Sequence, residues 1–374
     1  MVAAMSNTRF TIATCAGDGI GPDVTDAAFA AMQAAASRIG GFALDRQDIG
    51  AGAGLFAETG RDVEPGGEAL IAAADAIFLG AIGLPSIRHA DGTEIAPHLR
   101  FREMFELYAG VRPIKAYPNS PRALADERAG TIDLVVLRES TEGLFYSAAV
   151  HDRSTIVGDE EVRDTLRITR SVTERLHDFA FRLAARRKDR GGKGHVTCVD
   201  KANVFRSMAF FRKIFDERSA AFPEIGRGYS YIDAMALDLI RRPWDFDVLV
   251  MENMFGDILS DLGGGLVGGM GMAACAEIGD GNGLFQPAHG SAPDIAGEDR
   301  ANPLAAILSG ALMLDYLGER FDAPAAAQAA RLIDRAVEQG FAERRLRPME
   351  FGGDMGTRAV ASEVRTLVSE VQTD

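Results

Sequence analysis

The sequence predicts an α/β protein, and three observations lead there. Short apolar runs alternate with longer helical patterns through most of the chain, the rhythm of layered strand and helix. The apolar runs are continuous rather than alternating, as suits strands covered on both faces. The 374 residues suffice for two domains or one large one, and 47% hydrophobic with 25% charged residues is ordinary globular composition.

Taken in order, Phe10–Cys15 (FTIATC) is strand-like, and the alanine-rich Val24–Ser37 reads as a helix. Ala76–Leu79, Ile132–Leu137 and Asp247–Met251 are further strands of the fully covered kind. GRDVEPGG, YPNSPR and RGGKG punctuate the chain as loops. The basic cluster ARRKDRGGKG from Ala185 reads as a solvated loop. There is no internal repeat, and no shift of composition marks a domain boundary.

Forty basic against 54 acidic side chains give a net charge of −14, which disfavours non-specific attraction to nucleic acid or an anionic membrane. Cys15, Cys198 and Cys275 are far apart and outside any CxxC pair, so neither zinc nor a disulfide framework is expected. The start MVAAMSNTRF lacks the apolar core of a signal peptide, and no run has the length of a membrane span. A cytoplasmic protein is the expectation.

Two small-residue loops invite ligands. AGDGIGPDV from Ala16 sits between the first strand and first helix, but it reads GxGxG, with Pro22 where a Rossmann fingerprint has its last glycine. A Walker loop fails as well, because no Gly-Lys-Ser/Thr follows. HGSAPDIAG from His289 is the second such loop. Elsewhere, charges follow buried runs: Arg138 and Glu139 after IDLVVL, and Asp200 and Lys201 after HVTCV. Ligands of α/β sheets gather at the carboxyl ends of strands, so these charges are functional candidates. With Arg102 and Arg112, Arg138 makes three arginines able to hold a small di- or tricarboxylate. Asp257 and Asp261, one helical turn apart, repel unless a cation sits between them; with Asp233 they suit Mg²⁺ or Mn²⁺. A lysine among such acids is a plausible proton acceptor.

GDGIGPDV, GVRP, RESTEGL, DKANV, YIDAMAL, NMFGDILSDLGGG and HGSAPDIAG occur in that order, from about Gly17 to Asn302. Together they resemble the metal-dependent β-decarboxylating dehydrogenases, the family of isopropylmalate, isocitrate, homoisocitrate and tartrate/D-malate dehydrogenases. The resemblance implies that family's own fold, two α/β domains with a cleft between them and unlike Rossmann. Residues 1–107 with 268–374 would form a discontinuous cofactor domain, and 108–267 the substrate, metal and dimerisation domain. It implies oxidative decarboxylation of a (2R)-malate carrying a 3-substituent to a 2-keto acid. By resemblance, Arg102, Arg112 and Arg138 clamp the malate carboxylates, and Asp233, Asp257 and Asp261 bind Mg²⁺ or Mn²⁺. Lys201 accepts the hydroxyl proton. Lys201 and Asp233 act across the interface of a homodimer. Ile20 lies near the nicotinamide, while His289, Gly290, Ser291, Ala292, Asp294, Ile295 and Asn302 belong to the adenosine loop. Asp294 and Ile295 replace the Lys-Tyr of NADP-using relatives, which implies NAD.

The chain also departs from the family. RESTEGLF puts Phe145 where the family has a proton-donating tyrosine, with Tyr146 one place later. Either Tyr146 turns into the site, or a water donates, or that protonation is slow. In the specificity segment EIAPHLRFR, Ala96 and His98 match no family pattern, while Leu99 keeps one apolar contact of the isopropylmalate type. His98 and Arg100 suit a polar or anionic 3-substituent unless His98 faces solvent. Gln286 stands where a glutamate is common. Two alternatives therefore stand beside an isopropylmalate-like substrate: a tartrate/D-malate-type enzyme with weak decarboxylation, and a non-catalytic regulatory homologue.

Overall fold

The computed structural model describes residues 8–148 and 154–372. The opening residues 1–7, judged above for a leader, lie outside them. Its strands are β1 (Thr8–Gly17), β2 (Phe42–Asp48), β3 (Ala76–Ala81), β4 (Ala109–Lys115), β5 (Asp133–Glu139), β6 (Thr155–Val157), β7 (Glu161–Arg163), β8 (His195–Asp200), β9 (Gly226–Tyr231), β10 (Val248–Met251), β11 (Ala274–Ile278) and β12 (Gly283–Pro287). Its helices are α1 (Gly21–Ile39), α2 (Ala53–Thr59), α3 (Gly67–Ala73), α4 (Pro97–Met104), α5 (Phe145–Ala148), α6 (Arg170–Asp189), α7 (Arg206–Ser219), α8 (Ile232–Arg241), α9 (Asn253–Leu266), α10 (Leu304–Arg320), α11 (Pro324–Ala342) and α12 (Thr357–Glu370).

Ten strands form one sheet in the order β2-β1-β3-β12-β11-β4-β5-β10-β8-β9, and β6-β7 is a separate hairpin. β2, β1, β3, β12 and β11 come from the two ends of the chain, and the other five from its middle. The outer strands of each half pair in parallel. The centre is antiparallel, through β12–β11, β11–β4 and β4–β5. Every residue of β3 and β10 is buried, as their continuous apolar runs require. The largest core cluster runs from α1, α10, α11 and α12 on to α6 and α7; a second joins β5 and β10 to α8 and α9.

The expected strands and the first helix all form, α1 beginning three residues early with Pro22 in its first turn. The basic cluster from Ala185 is different. Ala185–Asp189 are not loop but the last turn of α6, where Arg186, Arg187 and Lys188 face the negative end of the helix dipole. Arg187 pairs with buried Asp247 at 2.6 Å and with Asp133 at 3.0 Å, so this cluster helps bind α6 to the sheet. Among the described residues no helix is long and apolar enough to cross a membrane.

Candidate active site

A cleft of about 870 Å³ opens where α4, the end of β5 and α9 face the loop after β12. Arg102, Arg112 and Arg138 all line it, each at least nine-tenths buried. Arg138 ends its strand as expected, but Arg112 lies mid-strand in antiparallel β4 and reaches the cleft by side-chain alternation. What permits their burial is a residue that sequence reasoning missed. Glu277, fully buried on β11, accepts Arg102 at 2.9 Å and Arg112 at 2.6 Å. Burial alone would push its carboxyl up. Arg102, Arg112 and Arg138 outweigh that and hold it at about 2. The available signal was a lone acid inside the apolar run ACAEI, since a carboxylate is buried only with partners. Among the described residues, Nε of Arg102 and Nε of Arg112 still lack a hydrogen-bond partner, two donors fit for an anion.

Arg138 donates from Nε to Asn253 at 2.8 Å and ion-pairs with Asp257. Burial, then Arg102 and Arg112, lower its pKa to about 10. Gly256 makes this approach possible: a Cβ there would lie 2.6 Å from the Cβ of Arg138, so α9 packs this closely only without a side chain. The packing carries Asp257 and, one turn on, Asp261 to the cleft wall. Burial and the neighbouring Asp257 push the Asp261 carboxyl up, against the pull of Arg112 and Arg138. The donors are all carboxylate oxygens, the set a hard divalent cation takes, and the pair fits one. Among the described residues no third acid, histidine or cysteine completes a cluster with them.

Asp233 and Lys201 are not in this cleft. They pair with each other at 2.5 Å, Asp233 at the start of α8 and Lys201 just past β8. The hydrogen bond from Lys201 lowers the Asp233 pKa. Asp200, fully buried, accepts two bonds from Arg212 at 2.7 and 2.8 Å and one from the Ala202 amide, which fixes the turn carrying Lys201.

Phe145 lines the cleft with its ring 4.9 Å from the Arg138 guanidinium carbon. Tyr146 lies outside the cleft lining, and its ring packs 3.9 Å from the guanidinium carbon of Arg167. His98 and Leu99 line the cleft, half-buried. Burial first, then Arg102, lower the His98 pKa to about 3, so its ring is neutral. Arg100 also reaches the cleft, but Asp62 and Glu68 already take its charge at 2.7 and 2.8 Å.

The glycine loop after β1 lies outside this lining and packs on the loop after β12. Gly19 has φ of +58°, and a Cβ on it would lie 2.0 Å from the Ser291 carbonyl oxygen. That carbonyl accepts the Ile20 amide at 2.8 Å, and the Ser291 hydroxyl donates to the Gly83 carbonyl. Asp18, read in the sequence only as a neighbour of glycines, accepts the amides of Ala53, Gly54 and Gly83, each at 2.8 Å. The three loops are thereby tied into one frame. His289 and Gly290 line the cleft, and Nε2 of His289 is buried without a partner among the described residues. Ile20 is buried in the core and is not part of the lining. Ala292 takes a left-handed turn, Asp294 is exposed and Ile295 half-buried. Asn302 is buried and donates to Glu350 at 2.8 Å. This architecture puts an anion-binding wall and a carboxylate pair for a cation within one cavity.

Comparison with known proteins places the chain in a family. The Isocitrate/isopropylmalate dehydrogenase family profile matches residues 11–368. The chain is 38% identical over 357 residues to the 3-isopropylmalate/3-methylmalate dehydrogenase of Methanocaldococcus jannaschii, covering 95% of this chain and 97% of that one. It is 38% identical over 378 residues to the 3-isopropylmalate dehydrogenase of Bacillus licheniformis, covering 96% of each. A crystal structure of isocitrate dehydrogenase from Methylococcus capsulatus superimposes with a TM-score of 0.81 at 33% identity, covering 96% of this chain and 100% of that one.

Proposed function

The chain belongs to the isocitrate/isopropylmalate dehydrogenase family, an oxidoreductase family, and on that premise we propose that it oxidises a 3-substituted (2R)-malate with NAD and releases CO₂. The observation that carries this reading is the meeting, in one cleft, of Arg102, Arg112 and Arg138 with Asp257 and Asp261. The arginines hold the two malate carboxylates, helped by the unpartnered Nε atoms of Arg102 and Arg112. Asp257 and Asp261, with the partner's Asp233, hold Mg²⁺ or Mn²⁺. When bound, the cation supplies Lewis acidity at the hydroxyl-bearing carbon, and NAD is the hydride acceptor. The partner's Lys201 takes the hydroxyl proton as hydride leaves, and Asp200 and Arg212 keep that lysine's turn in place. The three-loop frame around Asp18 and Ser291 shapes the NAD wall. The exposed Asp294 supports NAD over NADP, since a carboxylate there repels a 2′-phosphate.

The separation of Lys201 and Asp233 from the cleft of their own chain supports a homodimer. Leu237 and Ile240 on α8 and Ile258 on α9 are 55%, 45% and 60% exposed, apolar residues on neighbouring helices that a second copy would cover. Residues 1–107 with 268–374, and 108–267, would then be the two domains flanking the cleft. Phe145 on the lining favours a second reading of the last step: enol protonation falls to water or to a displaced Tyr146.

NADH formation with Mn²⁺, an EDTA control and trapped CO₂, over D-malate, tartrate, isopropylmalate, isocitrate and homoisocitrate, tests the proposal. Metal-dependent NADH with equal CO₂ supports it. NADH without CO₂ turns the reading toward a tartrate/D-malate-type enzyme with weak decarboxylation. Silence with every acid, alongside metal-dependent binding, turns the reading toward a binding subunit.

A further inference from the structure

A second cavity, of about 390 Å³, lies on the other face of the sheet, between α6 and α10. Strand alternation fixes that placement. On β4, Val111 lines this cavity and Arg112 the cleft; on β12, Phe285 lines this cavity and Gln286 the cleft. On β11, Ala276 and Ile278 line it, while Glu277 between them turns the other way to Arg102 and Arg112. The cavity therefore backs onto the active cleft through a single layer of sheet, and the reaction above makes no use of it.

Its floor is apolar and its mouth is charged. Val111, Ala276, Ile278 and Phe285 are all less than a tenth exposed, and the rings of Phe285 and Tyr316 meet at 5.3 Å between centroids. Phe179 of α6 adds a third ring to the lining. At the mouth every acid is already paired: Glu319 with Arg186, Asp315 with Arg190 at 3.1 Å, and Asp280 with Arg175 at 3.1 Å and the Tyr108 hydroxyl at 2.9 Å. The arginines are not. Arg182 has no hydrogen bond or ion pair among the described residues, and Arg320 donates at 2.9 Å to the Asp280 carbonyl without meeting a carboxylate. What the mouth can still bind is an anion. A hydroxy-dicarboxylate of the kind assigned to the cleft would bring a hydroxyl and a second carboxylate onto a floor that offers them no partner.

We propose that this cavity is a second ligand site, specific for a small aromatic monocarboxylate whose ring lies on the floor beside Phe285 and Tyr316 and whose carboxylate pairs with Arg182. An apolar floor with a few polar groups at its edge is the usual build of a small-molecule site, and the volume falls within the ~300–1,000 Å³ such sites span. The site goes beyond the dehydrogenase reading and does not depend on it, because the two cavities share no lining residue. Its occupant rests on the back of β4 and β11, the strands that carry Arg112 and Glu277.

Calorimetric titration of the full chain with 3-phenylpropionate tests the site, with 3-phenylpropanamide as the probe lacking the charge and 4-methylpentanoate as the probe lacking the ring. The expected result is saturable binding of one 3-phenylpropionate per chain. The amide should bind at least about tenfold more weakly, and 4-methylpentanoate at least about threefold. Arg182→Ala, a change at an exposed position, should leave the melting temperature and the amide's affinity unchanged and weaken 3-phenylpropionate at least about tenfold. D-Malate with Mn²⁺ should not displace the probe. The proposal is overturned by a wild type that shows no saturation up to about 5 mM, by an Arg182→Ala variant that binds 3-phenylpropionate as the wild type does, or by displacement with D-malate and Mn²⁺. Equal affinity for 4-methylpentanoate overturns the choice of an aromatic ligand. The titration reads binding alone, so its failure leaves the dehydrogenase reading standing, and a chain that oxidises no hydroxy acid leaves this site standing.

Discussion

Arg102 and Arg112 around Glu277, and Lys201 beside Asp233, are both cation–carboxylate groups attached to the same sheet, yet they sit in opposite environments. The Glu277 side chain has no exposed surface and its arginines are 7–8% exposed, whereas Lys201 is 24% and Asp233 68% exposed. The first group is complete within one chain and its ions are held in a low dielectric. The second is open to solvent, where an ion pair stabilises little. The difference teaches that the anion wall is part of the folded core. The Lys201–Asp233 pair contributes little to holding its own chain together, which is compatible with the role across an interface proposed above.

Mutation should break the comparison most sharply at its buried pole. Glu277→Gln leaves two guanidiniums buried without an anion, and denaturant titration should show a loss of about 3–5 kcal/mol. Asp233→Asn should cost far less stability by the same measurement, because the pair it breaks is exposed. Its effect should appear in catalysis, with metal-dependent NADH formation down at least about a hundredfold, as for Asp257→Asn. If Asp233 works across a two-fold interface, mixing the two inactive variants and re-equilibrating the subunits should restore about a quarter of wild-type turnover, since half the dimers then carry one intact site. No recovery, with hybrid dimers shown by mass, would return Asp233 to its own chain.

Smaller effects sharpen the same contrast. Asp18→Asn should cost about 1–3 kcal/mol of stability and raise KM for NAD more than KM for the hydroxy acid, measured by saturation kinetics. Glu139, buried near the anion wall, has its carboxyl pushed up to about 7 by burial, against the hydrogen bonds from Thr141 and the Glu142 amide. Its folded pKa lies above the unfolded value of about 4.3, so the folded state favours the protonated form. That contribution is full below about pH 4 and is lost as pH rises toward 7. Melting temperatures recorded across this window should fall less steeply in Glu139→Gln. The smallest change belongs to Arg100→Ala: its partners are half-exposed, and stability should move by less than about 1 kcal/mol.

Legibility in the sequence followed the range of each interaction. Continuous apolar runs predicted β3, β5 and β10 because covering both faces of a strand is a local demand on residue type. The end of α6 was misread because helix and loop share basic composition, and only the packing of Arg187 against Asp247 distinguishes them. Glu277 went unseen because its partners lie 165 and more residues away in the chain.

The sequence by itself determined the α/β class, the family, the three arginines and the two aspartates of α9, since short ordered motifs preserve residue type and spacing. Only the tertiary structure decided that Glu277 neutralises two of those arginines, that Arg100 is already spent on Asp62 and Glu68, and that Phe145 faces the cleft while Tyr146 packs on Arg167. It also left Nδ1 of His98 buried without a partner among the described residues. The physical reason is common to all four: whether a polar side chain is satisfied depends on which distant groups the folded chain brings within about 3 Å, and a linear pattern does not contain that distance.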